Sequence, residues 1–144
     1  MLKRLSALGG LKTLQGLRKR RTALAEVDEL LSLARASFVQ MQAAWDRADL
    51  PALGRLATGP LLEELRCQLQ ERGPAYNRTE VVSLQARLLS IDDLRDARVA
   101  SVEFSGLIQE DPRTGAAPFR ELWLLANIKA ADHGWRLARV QALA

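Results

Sequence analysis

The side chains that could carry acid–base, nucleophilic or metal chemistry are few in this chain. It has one histidine, His133, and one cysteine, Cys67, and one of each cannot complete a Cys/His zinc site. The sequence also has no glycine-rich phosphate loop and no nucleophile paired with a base. These patterns predict no catalytic residue, no metal ligand and no cofactor.

The remaining candidates fall in predicted elements that favour structural roles. Cys67 lies inside a predicted helix, where we expect a small packed thiol rather than a reactive one. His133 lies in a predicted turn, where we expect it to face solvent. Glu121 is the acid best placed to be a pocket carboxylate, although we expect it to pair with Arg136 or Arg139 on the adjoining strand.

Two of these residues, Glu121 and His133, lie in the C-terminal stretch 119–143. The pattern of this stretch predicts two strands joined by a turn at 130–134. Residues 122–125 are all apolar, and side chains alternate between the faces of a strand, so both faces carry apolar groups. Beyond the turn, simple alternation places Leu137 and Val140 on opposite faces. Such a sheet requires the rest of the chain to cover at least one of its faces.

Three helices are predicted before the sheet. The first runs from Thr22 to about Arg47, because its apolar residues recur with the spacing i, i+3, i+4, i+7. A short helix follows Asp49, which can cap it. The third runs from Thr58 to Gly73, where glycine ends it.

Two further strands are predicted at 81–91 and 97–108, with a bulge or bend at Gly106. The order is therefore helices first and then four strands linked by short turns. This order predicts an α+β domain in which N-terminal helices pack on a four-stranded antiparallel meander. We expect the three tryptophans to be largely buried in its core. The candidates for core or pocket residues are Phe38, Met41, Trp45, Phe104, Trp123 and Trp135.

The first 22 residues form a basic, leucine-rich arm that we expect to be flexible in water, ahead of a single domain at 23–144. The arm holds seven basic residues and no acid, a charge of +7, which leaves 14 basic and 17 acidic residues, a charge of −3, for the domain. The basic residues are Lys3, Arg4, Lys12, Arg18, Lys19, Arg20 and Arg21. The arm has no apolar run of the roughly 20 residues that span a bilayer.

The leucines of the arm favour contact with a membrane surface. On either side of Gly9-Gly10 they cover an arc of about 120° if the segment is helical. We therefore predict that the seven basic residues bind anionic lipid. The alternatives are a mitochondrial presequence, which has the same composition, and a disordered tail without a binding role.

Three ordered groups of residues point to a known family. They are Ser37–Asp46 with Asp49-Leu50, then Leu61–Arg72, and finally Glu121–Trp123 with Gly134–Leu137 and Val140-Gln141. From Val27 to the C-terminus the chain resembles the C-terminal domain of the forty-four-kilodalton subunit of the mitochondrial inner-membrane translocase. It resembles more closely the bacterial proteins that carry this domain.

The resemblance implies a cone-shaped fold like that of nuclear transport factor two, with helices in the concave face of a curved sheet around an apolar pocket. It implies a non-catalytic, membrane-associated module, as in the domain that tethers the mitochondrial import motor. The expected partners are an anionic membrane surface or a membrane-associated protein, with an apolar ligand in the pocket. The expected location is the periphery of a bacterial inner membrane.

Two other functions are compatible with the sequence. The same fold hosts isomerases and dehydratases whose pockets hold an acid, a histidine or a tyrosine, and the candidates here are Glu121, His133 and Tyr76. Alternatively, the arm could bind RNA or the ribosome, because basic arms bind phosphate without sequence preference. The arm has no aromatic residue to stack on bases, and its charges alternate with leucines, so lipid is favoured over nucleic acid.

Overall fold

A computed structural model describes residues 2–73 and 78–143, with the side chains of residues 2–22 outside the described part. The helices are α1 (Leu2–Asp46), α2 (Leu50–Leu56) and α3 (Gly59–Arg72). The strands are β1 (Glu80–Asp93), β2 (Ala97–Gln109), β3 (Ala117–Ile128) and β4 (Trp135–Ala142). They form one antiparallel sheet in the order β1-β2-β3-β4, so the predicted α+β architecture is confirmed.

Helix α1 is longer than the sequence pattern predicts, because it begins at Leu2 instead of Thr22 and continues through Gly9-Gly10. Glycine in a helix costs about 1 kcal/mol relative to alanine, but unlike proline it keeps its backbone donor and does not block the helix. The seven basic side chains of the arm lie outside the described residues. The division into a flexible arm at 1–22 and a domain at 23–144 stays a prediction.

Both shorter helices begin, and α3 ends, at the residues that the sequence indicates. The Asp49 carboxylate accepts a hydrogen bond from the backbone N–H of Ala52 at 3.1 Å and caps α2. Pro60 stands in the first turn of α3, where its missing donor costs nothing. Gly73 ends α3 at a φ of 72°, which a side chain would disfavour.

The core is built around Phe38, a fully buried residue of α1. Its ring centroid lies 4.9 Å from that of Phe104 and 5.1 Å from that of Trp123. Phe119 stacks on it at 5.4 Å. Phe104 and Trp123 meet edge to face at 5.0 Å, a favoured geometry for aromatic pairs. This aromatic cluster fixes α1 across β2 and β3.

The three tryptophans differ in burial. Trp123 is buried as predicted, whereas Trp45 and Trp135 are half-buried at the margins of the core. Both pack against buried residues but remain partly exposed. The prediction that all three are largely buried is therefore confirmed for Trp123 alone.

A bulge in β4 changes which residues face the helices. Leu125 is opposite Leu137, but Trp123 is opposite Val140, so Ala138 is an extra residue in β4. The extra residue reverses the alternation, and Val140 joins Leu137 on the inner face that α1 covers. The expectation that these two residues lie on opposite faces is wrong for this reason.

The irregularity predicted at Gly106 involves the neighbouring strand. Gly106 has a φ of 151°, and a Cβ there would collide with the carbonyl oxygen of Ser83 in β1. The register between β1 and β2 shifts at this point, between Val81 and Ser83. Glycine is thus required in β2 because the backbone of β1 approaches too closely for any side chain.

Replacing Trp123 with alanine tests the aromatic cluster. We expect Trp123→Ala to lower the free energy of unfolding by about 3–5 kcal/mol, because it removes a buried ring and leaves a cavity. The control Val39→Ala, on the exposed side of α1, is expected to change it by less than about 0.5 kcal/mol. Urea unfolding followed by circular dichroism measures both, and equal midpoints would contradict the assigned packing.

Replacing Gly106 with alanine tests the contact between β1 and β2. We expect Gly106→Ala to destabilise the protein by at least about 2 kcal/mol, since the backbone conformation and the Ser83 carbonyl both oppose a side chain. The matched control is Gly59→Ala, because a Cβ at Gly59 meets no atom within 4 Å. Thermal unfolding of the two variants should separate them clearly, and a Gly106→Ala protein as stable as the control would contradict this explanation.

Candidate functional site

A groove among the described residues, here called the α3–β4 groove, lies between α1, α3 and the β3–β4 edge of the sheet. Its volume is about 710 Å³. The lining residues come from two helices and two strands: Met41, Gln42, Trp45, Leu61, Glu64, Leu65, Gln68, Glu121, Trp123, Ala138, Arg139 and Val140. A groove of this size suits a small molecule or a few residues of peptide.

The aromatic cluster explains why the groove lies at the edge of the sheet. Phe38 and Phe104 occupy the centre of the sheet's inner face and are fully buried. The space that remains open lies between α3 and β4, beside Trp123. Packing at the centre therefore moves the accessible concavity to the side of the domain.

The predicted core and pocket residues divide into three groups. Met41, Trp45 and Trp123 line the α3–β4 groove. Phe38 and Phe104 lie behind them in the closed core. Trp135 lies elsewhere: its ring is 5.8 Å from the Arg98 guanidinium, within cation–π distance, in a shallow depression beside the start of the packed part of α1.

Glu121 is the predicted pocket carboxylate, and it does line the groove. Its carboxylate accepts a hydrogen bond from Trp123 Nε1 at 2.9 Å. The expected pairing with Arg136 or Arg139 is wrong, because these arginines stand opposite Ala126 and Leu124 in the register, on the face of the sheet opposite to Glu121. The role seen for Glu121 is to satisfy the buried indole N–H and to fix the orientation of Trp123.

The other residues considered for chemistry do not meet in the groove. His133 lies in the β3–β4 turn, where Nδ1 is 3.0 Å from the Gly134 carbonyl oxygen. Cys67 is exposed on α3, so the expectation of a packed thiol is wrong, and Tyr76 lies outside the described residues. Within residues 2–73 and 78–143, no group of three or more His, Cys, Asp or Glu residues could hold a metal ion.

A polar junction at the end of α1 supports one wall of the groove, and sequence reasoning missed it. The Arg72 guanidinium lies 5.3 Å from the Trp45 ring and donates a hydrogen bond to the Trp45 carbonyl oxygen at 2.7 Å. The buried Asp46 carboxylate accepts hydrogen bonds from the backbone N–H and the hydroxyl of Thr79. The junction ties α1, the end of α3 and the start of β1 together.

The outer face of the sheet carries a second arrangement of charges. The half-buried Glu103 accepts a hydrogen bond from Arg120 at 2.8 Å and another from Arg87 at 2.9 Å. Hydrogen bonding to Arg120 and then to Arg87 lowers the pKa of the Glu103 carboxyl from its ordinary value. Glu103 therefore links three strands across a face that the helices leave uncovered.

None of the helices in the part of the chain that the structure describes combines the length and the apolar character needed to cross a membrane.

Comparisons with known proteins place this geometry in context. The family model of the Tim44-like domain matches residues 17–142. The crystal structure of the intermembrane space region of chloroplast protein ARC6 is similar with a TM-score of 0.52 at 12% identity, over 79% of this chain and 96% of that one. A nuclear transport factor 2-like superfamily protein from Salmonella enterica serovar Typhimurium LT2 has a TM-score of 0.50 at 13% identity, over 82% and 92%.

At these identities the two structures show the fold alone, and the predicted likeness to nuclear transport factor two is confirmed. A comparison with curated protein sequences finds no match.

The ion pairs of Glu103 predict a pH-dependent contribution to stability. Because folding lowers its pKa below the ordinary 4.5, the contribution is complete above that value and disappears as the pH falls through the lowered pKa. We expect Glu103→Gln to be less stable than the parent at pH 7, with the difference shrinking as the pH falls below the ordinary pKa of 4.5. Urea midpoints from pH 3 to 7 measure this, with exposed Glu110→Gln as control, and a constant difference would contradict it.

Proposed function

Because the chain belongs to the Tim44-like domain family, which is associated with membrane-linked translocases, we propose that it is a non-catalytic, membrane-associated binding module. The lipid contact is the N-terminal arm, and the partner or ligand contact is the folded domain. The module acts at the periphery of a bacterial inner membrane.

The observation that carries this proposal is the division of charge between the arm and the rest of the chain. The arm has a charge of +7 and the remaining residues have −3, so an anionic surface attracts one end of the protein and weakly repels the other. Each basic residue near such a surface contributes on the order of 1 kcal/mol. Even a fraction of that sum holds a chain of 16.0 kDa reversibly on a membrane.

The packing of α1 supports an accessible arm. The first buried residue of α1 among the described side chains is Leu30, and Leu24 is 64% exposed. Between them the side chains are exposed or, at Val27, half-buried. The sheet therefore holds α1 from Leu30 onwards, and the helix leaves the domain on the side of the arm.

The α3–β4 groove supports the second contact. Met41, Leu61 and Trp123 give it an apolar floor, and Glu64 and Glu121 add carboxylates at its walls. An apolar ligand or an apolar side chain of a partner matches such a floor. An enzyme is the weaker alternative, since Glu121 is engaged with Trp123 Nε1 and His133 lies in a distant turn.

Removing charge from the arm tests the lipid contact. We expect changing Arg18, Lys19, Arg20 and Arg21 to Gln to weaken cosedimentation with cardiolipin-rich liposomes at least about tenfold at low salt. The loss should be smaller at high salt, because screening already removes much of the attraction. Deleting residues 1–22 should abolish binding and leave the melting temperature nearly unchanged.

The matched control removes the same charge from the domain by changing Arg35, Arg55, Arg78 and Arg95 to Gln, all of which are exposed. This variant should bind liposomes as well as the parent does. Equal losses in the two variants would mean that net charge, and not the arm, governs binding. Binding that survives deletion of residues 1–22 would place the lipid contact on the folded domain.

A further inference from the structure

The last strand has an open edge that borders the α3–β4 groove. β4 is terminal in the sheet order, so one side of its backbone has no neighbouring strand. The chain covers part of this edge itself, because the backbone N–H of Thr58 donates to the Leu137 carbonyl oxygen at 2.8 Å. Residues 57 and 137 form an isolated parallel bridge there. The covering segment ends at Thr58, because α3 begins at Gly59. The edge of β4 after Leu137 is therefore not covered by this segment.

The register identifies which backbone groups remain open. The N–H of Leu143 donates to the Arg120 carbonyl oxygen, so Leu143 points toward β3. Successive residues of a strand point their backbone groups to alternate sides, so Ala142 and Val140 direct theirs away from β3. Among the described residues, no backbone hydrogen bond of the turns, loops or caps reaches either of them.

The open edge and the groove are continuous. Val140 lines the groove and is 42% exposed, and the β4 bulge turns its side chain to the inner face beside Trp123. A segment paired with β4 here would send alternate side chains toward Met41, Leu65 and Trp123. Exposed strand edges are templates for pairing with another chain, and this one has an apolar floor next to it.

We propose that the free edge of β4 at Val140 and Ala142 binds an extended peptide of a partner protein, which adds a fifth strand and places apolar side chains in the α3–β4 groove. The peptide alternates apolar and basic residues. Backbone hydrogen bonds supply general affinity in such strand addition, and side chains in the groove supply specificity. The proposal goes beyond membrane association and rests on the proposed function only in treating the domain as a binding module.

Charge favours a basic peptide. The groove is lined by two acidic residues, Glu64 and Glu121, and by Arg139, whose side chain the register places on the opposite face of the sheet. Glu64 is exposed on the α3 wall, within reach of a lysine or arginine that points away from the floor. The weak acidic balance thus selects for basic residues at the positions between the apolar ones.

A second copy of this chain fits the edge less well than a peptide does. α3 lies directly beside β4, joined through Thr58. Two β4 strands paired about a twofold axis would also bring the two α3 helices together. The bulk of α3 opposes this arrangement, whereas a single extended segment needs room only for its own width.

The test uses the whole chain and a ten-residue peptide of alternating valine and lysine, acetylated and amidated, without lipid. We expect binding to slow hydrogen exchange of the Val140 and Ala142 amides at least about tenfold, because they become donors in a new ladder. Protection elsewhere, or no binding at millimolar peptide, would overturn the proposal. A dimer in analytical ultracentrifugation, together with slow exchange of these two amides in the absence of peptide, would also overturn it. The second copy would then be the occupant of the edge.

Variants separate the backbone contact from the side chains. Val140→Pro removes one backbone donor that points away from β3, a position where an edge strand tolerates proline. It should lower the affinity for the peptide at least about tenfold. Val140→Thr keeps the donor and should change affinity by no more than about threefold. Glu64→Gln should lower the affinity for the valine–lysine peptide about two- to fivefold and leave the affinity for a valine–serine peptide unchanged.

A second measurement does not depend on the variants folding. N-methylation of alternate peptide residues on the side facing β4 should abolish binding, while methylation of the other residues should leave it intact. Equal binding of both methylated peptides would overturn strand pairing. Liposome cosedimentation of the same protein is a separate readout, so loss of peptide binding with retained lipid binding refutes this proposal and leaves the proposed function standing.

Discussion

The structure depends on the contact between one ring of α1 and three rings of the sheet. Phe38 meets Phe104, Phe119 and Trp123 within 5.4 Å, and the cluster joins elements that are far apart in sequence. Rings of this size bury large apolar areas and hold preferred orientations, so the cluster fixes the position of α1 along the sheet. Because it fills the centre of the concave face, the accessible groove lies at the β4 edge.

The polar junction at the end of α1 completes the groove in a different way. Asp46 and Thr79 join α1 to β1, while Arg72 joins α3 to the last turn of α1. Most buried polar groups in proteins are hydrogen-bonded, so these bonds favour one arrangement of the three elements. Trp45 is held between Arg72 and the core, and its exposed edge becomes a wall of the groove.

The sequence predicts the elements well because their signals are local. The apolar period of α1, the cap at Asp49 and the glycine at the end of α3 need only neighbouring residues. The face of Val140 could not be predicted, because the bulge at Ala138 depends on pairing with β3 and leaves no mark in the sequence of β4. The partner of Glu121 was missed because the choice between Arg139 and Trp123 Nε1 depends on which face of the sheet each side chain occupies.

The exposure of Cys67, by contrast, was predictable. Leu61, Leu65 and Leu69 define the packed side of α3, and Cys67 is two residues from the nearest of them. At about 100° per residue, it must point to the opposite side. The helical period is a stronger physical constraint on Cys67 than the general tendency of cysteine to be buried.

Helix α1 relates the two proposed contacts in space. Its N-terminal part carries the basic cluster that ends at Arg21, and its C-terminal part carries Met41 and Trp45 at the groove. The 20 residues between Arg21 and Met41 rise about 30 Å at 1.5 Å per residue. The basic cluster and the groove are therefore about 30 Å apart along the helix, beyond a Debye length of about 8 Å. The two sites would then bind independently: salt would weaken the lipid contact at the arm while the strand edge of β4 remained available to a partner peptide.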